Sequence, residues 1–160
     1  MTGMHLRPAR ADDMMLYFRW VNDPVVRKNA FQSEPIDFAT HREWFANVIA
    51  DENVQMWVLE VDDIPVGQVR LMFEGDGSRM QKESDGRTAL IDYSVASEQR
   101  GHGYGQRMLA LAEHEVTRRT ILVGQVKEEN IASRRTFLSL DYTESRVESG
   151  TFWEYRKQIV

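Results

Sequence analysis

A bend with three glycines at alternate positions, Gly101, Gly103 and Gly105, most constrains what this chain can fold into. An apolar, strand-like segment precedes the bend, and an amphipathic, helix-like segment follows it. Glycine adopts positive φ at no steric cost and lets the backbone approach a ligand closely. The N–H groups of such a turn, continued by a helix N-terminus, form an anion site. The sequence therefore predicts a strand–bend–helix unit that binds a pyrophosphate, and hence a nucleotide-like cofactor.

The spacing of the glycines excludes two common phosphate-binding motifs. A P-loop needs a Lys-Ser or Lys-Thr pair after its glycines, and none follows here. A dinucleotide-binding fingerprint has the spacing G-x-G-x-x-G near the start of a βαβ unit, whereas this bend lies late in the chain. The pattern that fits is R-x-x-G-x-G, formed by Arg100, Gly103 and Gly105. It is the pyrophosphate loop of the GCN5-related N-acetyltransferases (GNAT), a family that this chain resembles, and the resemblance implies acetyl-CoA as acetyl donor.

Composition narrows the class of protein and its partners. The length of 160 residues suits one domain over residues 1–160. A net charge of −5 without a basic run argues against nucleic acid as a partner. The chain has no cysteine, which excludes disulfides, a cysteine nucleophile and a thiolate metal site, and we expect no metal. No apolar run approaches the roughly 20 residues of a membrane span, and the N-terminus lacks the apolar core of a signal peptide, so we expect a cytoplasmic enzyme without a membrane partner.

The hydrophobic pattern predicts elements in the order β-α-α-β-β-β-α-β-α-β-β, which is the order of the family. We expect helices over residues 11–21, 37–50, 104–116 and 131–140, with a break at 22–24 and a polar loop at 75–86. Strands are expected over residues 6–9, 55–61, 65–73, 88–95, 121–126, 142–147 and 151–158. The predicted fold class is α/β, a mixed and mostly antiparallel sheet with flanking helices. The resemblance implies that the fourth and fifth strands run parallel and splay apart to admit the pantetheine arm.

The resemblance also implies which residues bind the coenzyme. The amides of the glycine bend and the nearby Arg100 would bind the pyrophosphate, and the end of the fourth strand would bond the pantetheine, with the Val95 amide facing the thioester oxygen. The run 130–133 resembles the family segment N-x-x-[A/S], in which the Asn touches the pantetheine and the small residue lets it pass; a plain helix cap is the alternative. The implied coenzyme residues are Ser94, Val95, Arg100, Gly101, His102, Gly103, Tyr104, Gly105, Asn130, Ser133 and Phe137.

Acetyl transfer to an amine needs a base, because an ammonium has no lone pair. Many relatives carry a Glu near the position of Tyr93, where this chain has Asp92, the first candidate for the base or for holding a water. His41 is the second candidate, because its ordinary pKa suits proton transfer; structural roles are the alternative for both. Many relatives also place a Tyr seven residues after the Asn to protonate the thiolate, and this chain has Phe137 there. Since a thiol with a pKa of about 8.5 is a tolerable leaving group, water, Tyr93 or Tyr104 would serve, and we expect direct attack in a ternary complex.

The N-terminal third contains the residues that indicate the acceptor, a string of aromatic and polar side chains from Arg19 to Phe45. It resembles the branch that acetylates nucleotide-linked amino sugars on the way to nonulosonates such as pseudaminic acid, including the 4-amino group of UDP-4-amino-4,6-dideoxy sugars. Aromatic rings can stack on a sugar or a uracil, amides can bond hydroxyls, and arginines can bind a diphosphate. The alternative for the aromatic residues is packing of the helices on the sheet. The implied acceptor residues are Trp20, Asn22, Arg27, Asn29, Phe31, His41, Trp44 and Arg70.

Other functions stay open on the sequence. A protein N-terminal or ribosomal-protein acetyltransferase shares a W-x-x-D-P-like segment with this chain, and acetylation of polyamines or drugs is a further choice within the family. A non-catalytic regulator that binds acyl-CoA is the alternative of another class, because Phe137 replaces the usual Tyr. A homodimer through the closing strands is a further expectation.

Overall fold

The computed structural model describes residues 3–74, 87–147 and 150–160. Seven strands and five α-helices follow one another along these residues. One 3₁₀ turn (Ala11–Asp13) leads into the first helix, and a second (Ser97–Gln99) precedes the glycine bend. They are β1 (Met4–Pro8), α1 (Met14–Val21), α2 (Pro24–Asn29), α3 (Phe38–Ile49), β2 (Val54–Val61), β3 (Ile64–Phe73), β4 (Thr88–Val95), α4 (Tyr104–Glu113), β5 (Ile121–Lys127), α5 (Ile131–Ser139), β6 (Thr143–Arg146) and β7 (Phe152–Gln158).

The strands form one sheet in the order β1-β2-β3-β4-β5-β7-β6. Every neighbouring pair is antiparallel except β4 and β5, which run parallel. The predicted α/β class, with its mixed and mostly antiparallel sheet and its parallel pair, is confirmed. The bounds of β4 agree with the prediction, and the other predicted elements differ by a few residues at their ends. The predicted loop at 75–86 lies outside the described residues.

Helix α2 is the element that the sequence analysis missed, because an Asp-Pro pair is typical both of a break and of a helix start. The carboxylate of Asp23 accepts hydrogen bonds from the backbone N–H groups of Val25, at 2.9 Å, and Val26, at 3.3 Å. Pro24 occupies the first turn, where its missing N–H costs nothing. The expected break at residues 22–24 is therefore the capped start of a six-residue helix.

The two faces of the sheet carry separate apolar clusters because side chains alternate along each strand. On β2, Trp57 and Leu59 belong to the larger cluster, which contains the buried residues of α4 and α5. Met56 and Val58 point to the opposite face and pack with Tyr17 and other residues of α1 and α3. Helices α4 and α5 thus lie on one face of the sheet, and α1 and α3 lie on the other.

The parallel pair opens after four residues. Its pairing runs from Thr88 with Ile121 to Ile91 with Gly124, and in the described residues it ends there. The ring of Phe137, from α5, lies against Gly124, where an added Cβ would be 2.3 Å from its Cζ. The same ring is 1% exposed and stacks at 5.3 Å on Tyr155, the β7 partner of Gly124. An aromatic ring therefore fills the place where β4 and β5 separate.

Candidate functional site

A cleft of about 750 Å³ opens where β4 and β5 diverge. The glycine bend, the start of α4 and α5 line one part of it, and α1, α2 and α3 line the other. The cleft brings together all of the site residues predicted from the sequence except Asn22, Phe31 and His102. One surface thus contains both the expected coenzyme residues and most of the expected acceptor residues.

The glycines of the bend serve two different purposes. Gly101 and Gly103 have φ of +88° and +76°, and no atom lies within 4 Å of a Cβ built on either. Gly105 has a different role, because a Cβ there would lie 3.2 Å from the ring of Tyr93. Gly103 precedes α4 without a side-chain cap, so the first N–H groups of that helix lack intrahelical acceptors. This bend fits an anionic pyrophosphate, which accepts hydrogen bonds from such groups.

Arg100 connects the bend to the N-terminal helices. Its Nη2 donates to Oδ1 of Asp23 at 2.9 Å, the carboxylate that also caps α2. Burial pushes the pKa of Asp23 upward, but the hydrogen bonds from Arg100 and from the Val26 amide hold it below its usual value. Arg100 still lines the cleft, and a guanidinium has five N–H donors. The residue predicted to bind a diphosphate can therefore do so while it is bonded to Asp23.

Two of the residues outside the cleft pack against other rings. Phe31, after α2, meets Phe152 of β7 edge-on at 5.1 Å and remains 55% exposed. It lies outside the lining of the cleft, so its acceptor role stays a prediction. His102 lies at 5.5 Å from the ring of Tyr104. Near Phe31, the Lys127 ammonium of β5 donates to the carbonyl of Lys28 at 3.0 Å. Residues 23–31, here called the α2 region, therefore contact Arg100 at one end and strands β5 and β7 at the other.

Asn22 has a structural role that its sequence position does not reveal. Its side-chain amide donates to the carbonyl of Ile36 at 2.9 Å and accepts from the N–H of the same residue at 2.8 Å. This correction removes Asn22 from the expected hydroxyl ligands. Arg27 also binds backbone, since its Nε donates to the carbonyl of Val21 and its Nη1 to those of Gln32 and Glu34. Arg27 lines the cleft nevertheless, and its hydrogen bonds to the described residues use Nε and Nη1 but not Nη2.

A polar cluster on β3 and β4 lines the cleft. The side-chain amide of Gln68 donates to Oδ2 of Asp92 at 3.2 Å and to Oγ of Ser94 at 3.1 Å. Nη2 of Arg70 lies 3.8 Å from the same Oδ2, and its guanidinium lies 5.0 Å from the ring of Trp44. The side chain of Asp92 is 49% exposed, whereas Gln68 is buried. Sequence reasoning missed Gln68, although a glutamine inside an apolar strand is a signal for such a cluster.

His41 and Tyr93, two candidates for proton transfer, differ in their hydrogen bonds and in their burial. Nε2 of His41 donates to the carbonyl of Met14 at 3.0 Å, and burial lowers the pKa of the imidazole. The ring is therefore neutral and fixed among aromatic neighbours, which fits the structural alternative. The hydroxyl of Tyr93 pairs with Oγ of Ser133 at 2.8 Å. Burial raises the pKa of Tyr93, so its phenol stays protonated beside Phe137, whose ring lies at 5.8 Å.

The second side of the cleft is the start of α5. Oδ1 of Asn130 accepts from the N–H of Ser133 at 3.3 Å, which is an ordinary helix cap. Both residues line the cleft, as the resemblance implied.

Among the described residues, no group of three His, Cys, Asp or Glu side chains could hold a metal ion. The same part of the chain contains no helix that is long and apolar enough to cross a membrane.

The sequence and the fold both match known proteins. The family model described as "Acetyltransferase (GNAT) domain" matches residues 4–143. A solved structure of AAC(6')-Ib in complex with ribostamycin and coenzyme A is 18% identical, with a TM-score of 0.74 over 98% of this chain and 93% of that chain. The yncA protein from Salmonella typhimurium, solved with its cofactor acetyl-CoA, is 17% identical, with a TM-score of 0.74 over 99% of this chain and 95% of that one.

A third similar structure is the spermidine N-acetyltransferase from Vibrio cholerae in complex with CoA and spermine. It is 16% identical to this chain, with a TM-score of 0.74 over 98% of this chain and 94% of that chain. At these identities, the structures show a common fold. The comparison with curated proteins gives no match.

Proposed function

This chain belongs to the GNAT acetyltransferase family and is an acetyl-CoA-dependent N-acetyltransferase, and we propose that its acceptor is one primary amine on a neutral or anionic sugar. The specific proposal is the 4-amino group of a UDP-4-amino-4,6-dideoxy sugar. The observation that carries it is the charge of the cleft. Among the described residues that line the cleft, Asp92 is the only carboxylate, whereas Arg27, Arg70 and Arg100 are cations.

The balance of charge in the cleft is opposite to that of the chain, which has a net charge of −5. Ribostamycin and spermine, which are bound in two of the similar structures, carry several ammonium groups. Such a polycation is stabilised by several carboxylates and repelled by guanidinium groups at short range. One carboxylate suits one ammonium. Arg70 and Nη2 of Arg27 suit a diphosphate, because hydrogen bonds from a guanidinium to phosphate oxygens are strengthened by charge. The cleft therefore supports a nucleotide-linked amino sugar over a polyamine or an aminoglycoside.

Aromatic residues on the acceptor side support the same class of substrate. Trp20 and Trp44 both line the cleft, together with Asn29. Trp44 is 36% exposed and lies beside the guanidinium of Arg70. An exposed indole next to a cation offers a flat apolar face for a sugar or a base and a charge for a phosphate.

Coenzyme binding would use mainly the backbone. The amides of the bend and of the start of α4, with Arg100, would bind the pyrophosphate. The end of β4 from Asp92 to Val95 has lost its β5 partner, so its backbone groups are available to the pantetheine amides, in the manner of an added strand. Asn130 and Ser133 would lie on the opposite side of the arm. Acetyl-CoA supplies the acetyl thioester, and the residues around it bind and orient it.

Three groups of this chain would act on protons and charge during transfer. Asp92 takes the proton of the acceptor ammonium, directly or through a water, which frees the nitrogen lone pair for attack on the acetyl carbon. The Val95 amide stabilises the negative charge on the thioester oxygen. When the C–S bond breaks, the phenol of Tyr93, kept protonated and paired with Ser133, donates a hydrogen bond to the departing thiolate. The thiolate takes the second proton that the nitrogen loses and leaves as CoA thiol. Since the chain has no cysteine, the amine attacks in a ternary complex.

The test is an acceptor panel with the purified full chain and acetyl-CoA, read out as release of free CoA thiol and as product mass. The panel holds a UDP-4-amino-4,6-dideoxy sugar, a peptide with a free N-terminus, spermidine and kanamycin. We expect the nucleotide sugar to give the highest kcat/KM. A preference for spermidine or kanamycin would refute the argument from charge, and a preference for the peptide would favour a protein N-terminal acetyltransferase. Binding of acetyl-CoA without turnover of any amine would favour the regulator.

A single substitution tests whether Asp92 is the base. Asp92→Asn should lower kcat by about 10²- to 10⁴-fold, the usual contribution of a general base, and leave acetyl-CoA affinity unchanged. Asp63→Asn is the matched control, because Asp63 is exposed in the turn between β2 and β3. Full activity of Asp92→Asn would remove Asp92 as the base.

A further inference from the structure

We propose that Gln68 is a positioning residue that fixes the carboxylate of Asp92 so that one oxygen is bound and the other faces the cleft. The inference rests on the proposed role of Asp92 as the base. Gln68 belongs to β3 and lies opposite Ser94 in the sheet, and Arg70 lies opposite Asp92 in the same register. The four side chains therefore share one face of two neighbouring strands.

Both N–H groups of the Gln68 amide are in use. One donates to Oδ2 of Asp92 at 3.2 Å and the other to Oγ of Ser94 at 3.1 Å. The reverse orientation of the amide would bring its oxygen against a carboxylate, and a carboxylate accepts but does not donate. The charge of Asp92 thus determines which way Gln68 points, and Ser94 anchors the second N–H group.

The two oxygens of Asp92 have different surroundings. Oδ2 accepts from Gln68 and has Nη2 of Arg70 at 3.8 Å. In the described part of the chain no donor is bonded to Oδ1, and the side chain is 49% exposed on the cleft. Two contacts on one oxygen restrict rotation of the carboxylate and direct Oδ1 to the acceptor amine. A base must lie within hydrogen-bond reach of the proton that it removes, so this orientation bears directly on the rate.

Stability alone does not explain a glutamine at this position. Gln68 is 6% exposed, and its Oε1 is buried without a hydrogen-bond partner among the described residues. Nε of Arg70, two residues along the same strand, is buried and unpaired in the same way. Each unpaired buried group lowers the free energy of unfolding. An apolar side chain of similar length would avoid that loss at position 68. The amide is therefore explained by its hydrogen bond to Asp92 and not by stability.

The experiment is the substitution Gln68→Met, which keeps the length of the side chain and removes both donors. We expect kcat to fall by roughly 10- to 100-fold, because a small misplacement of a catalytic group has effects of that size. The KM values for acetyl-CoA and the amine acceptor should change by less than about twofold, since the pantetheine is proposed to bind the backbone of Ser94 and not the hydroxyl that Gln68 contacts. The midpoint of thermal unfolding should stay the same or rise. Gln55→Met is the matched control, because Gln55 is an exposed glutamine on β2, and it should leave all four quantities unchanged.

A double-mutant cycle separates positioning from a general effect on the fold. In an Asp92→Asn background, Gln68→Met should change kcat by less than about twofold, because the group that it positions is already lost. Equal losses of kcat in both backgrounds would overturn the inference, as would native kcat in Gln68→Met while Asp92→Asn is inactive. Full activity of Asp92→Asn would instead refute the base itself.

A second variant guards against a failure of Gln68→Met to fold. Gln68→Glu keeps the shape and polarity of the side chain but places a second carboxylate against Oδ2 of Asp92. We expect its kcat to fall at least as far as that of Gln68→Met at neutral pH, because like charges at this distance repel. A folded Gln68→Glu protein with native kcat would also overturn the inference.

Discussion

Gly124→Ala tests how tightly the ring of Phe137 fills the place where β4 and β5 separate. The new methyl carbon would lie 2.3 Å from Cζ of Phe137 and 2.8 Å from both Cε atoms. Ordinary carbon–carbon contacts begin at about 3.5 Å, so the ring would have to move by about 1.2 Å. It has little room, since it is 1% exposed and touches Tyr142 and Tyr155 at centroid distances of 5.0 and 5.3 Å.

Overpacking a filled core costs about 1–3 kcal/mol, and the enclosed ring places this substitution at the upper end, near 3 kcal/mol. For a chain of 160 residues, each kcal/mol lowers the unfolding midpoint by roughly 2–4 °C. We therefore expect Gly124→Ala to unfold about 6–12 °C below the native protein. Thermal and urea unfolding, followed by circular dichroism, measure this difference.

The double variant with Phe137→Leu identifies the cause. Phe137→Leu alone removes part of the ring and should destabilise the protein by about 1–3 kcal/mol through a cavity. In that background, Gly124→Ala should cost less than about 1 kcal/mol, because the methyl group enters the vacated space. An unfolding midpoint of Gly124→Ala within about 1 °C of the native value, the range of neutral surface changes, would refute the reasoning.

Two further predictions concern ion pairs. Arg100→Ala should weaken acetyl-CoA binding by roughly tenfold or more, which is the contribution of a hydrogen bond to a charged group. Asp23→Asn keeps the helix cap and frees Arg100 from its ion pair, so it should bind acetyl-CoA equally well or more tightly. Calorimetry that finds the same affinity for both variants would remove Arg100 from the coenzyme site. Burial pushes the pKa of Asp13 upward, but the hydrogen bonds from Arg7 and from the Arg10 amide hold it below its usual value. Its contribution to stability is therefore present above the unfolded-state pKa of about 3.9 and is lost as the pH falls through the lower folded-state pKa. Asp13→Asn should unfold at lower urea than the native protein at neutral pH, and the difference should shrink in acid; a constant difference would contradict this assignment.

Local patterns predicted much of the part of the cleft that the glycine bend and α5 line. The bend at Gly101 and Gly103, the strand before it and the capped start of α5 at Asn130 are each specified by residues a few positions apart, and each lines the cleft in the structure. The strands of the predicted α/β sheet are present for the same reason, since short apolar runs and turn residues define them. The parallel pair, by contrast, is implied only by the resemblance to the family.

The pairs that determine the roles of polar residues are distant in sequence, and no local pattern contains them. Arg100 and Asp23 are 77 positions apart, and Gln68 and Asp92 are 24 positions apart. Whether two such residues meet depends on the strand register and on how the helices dock, which the hydrophobic period does not specify. Asn22 therefore looks like a ligand in the sequence, although Ile36 uses both ends of its amide.

The opening between β4 and β5 both exposes binding groups and weakens the sheet. Every backbone group that leaves the ladder loses a partner, and an unpaired buried group is costly. The structure limits this cost on two sides. The ring of Phe137 packs against Gly124 where the strands separate. The α2 region contacts both sides of the opening, because Asp23 accepts a hydrogen bond from Arg100 and the carbonyl of Lys28 accepts one from Lys127. Because these contacts connect the two sides, they favour the separated arrangement, in which β4 after Ile91 pairs with β3 but has no β5 partner in the described residues. A ligand that supplies hydrogen-bond partners on that edge would complete the ladder.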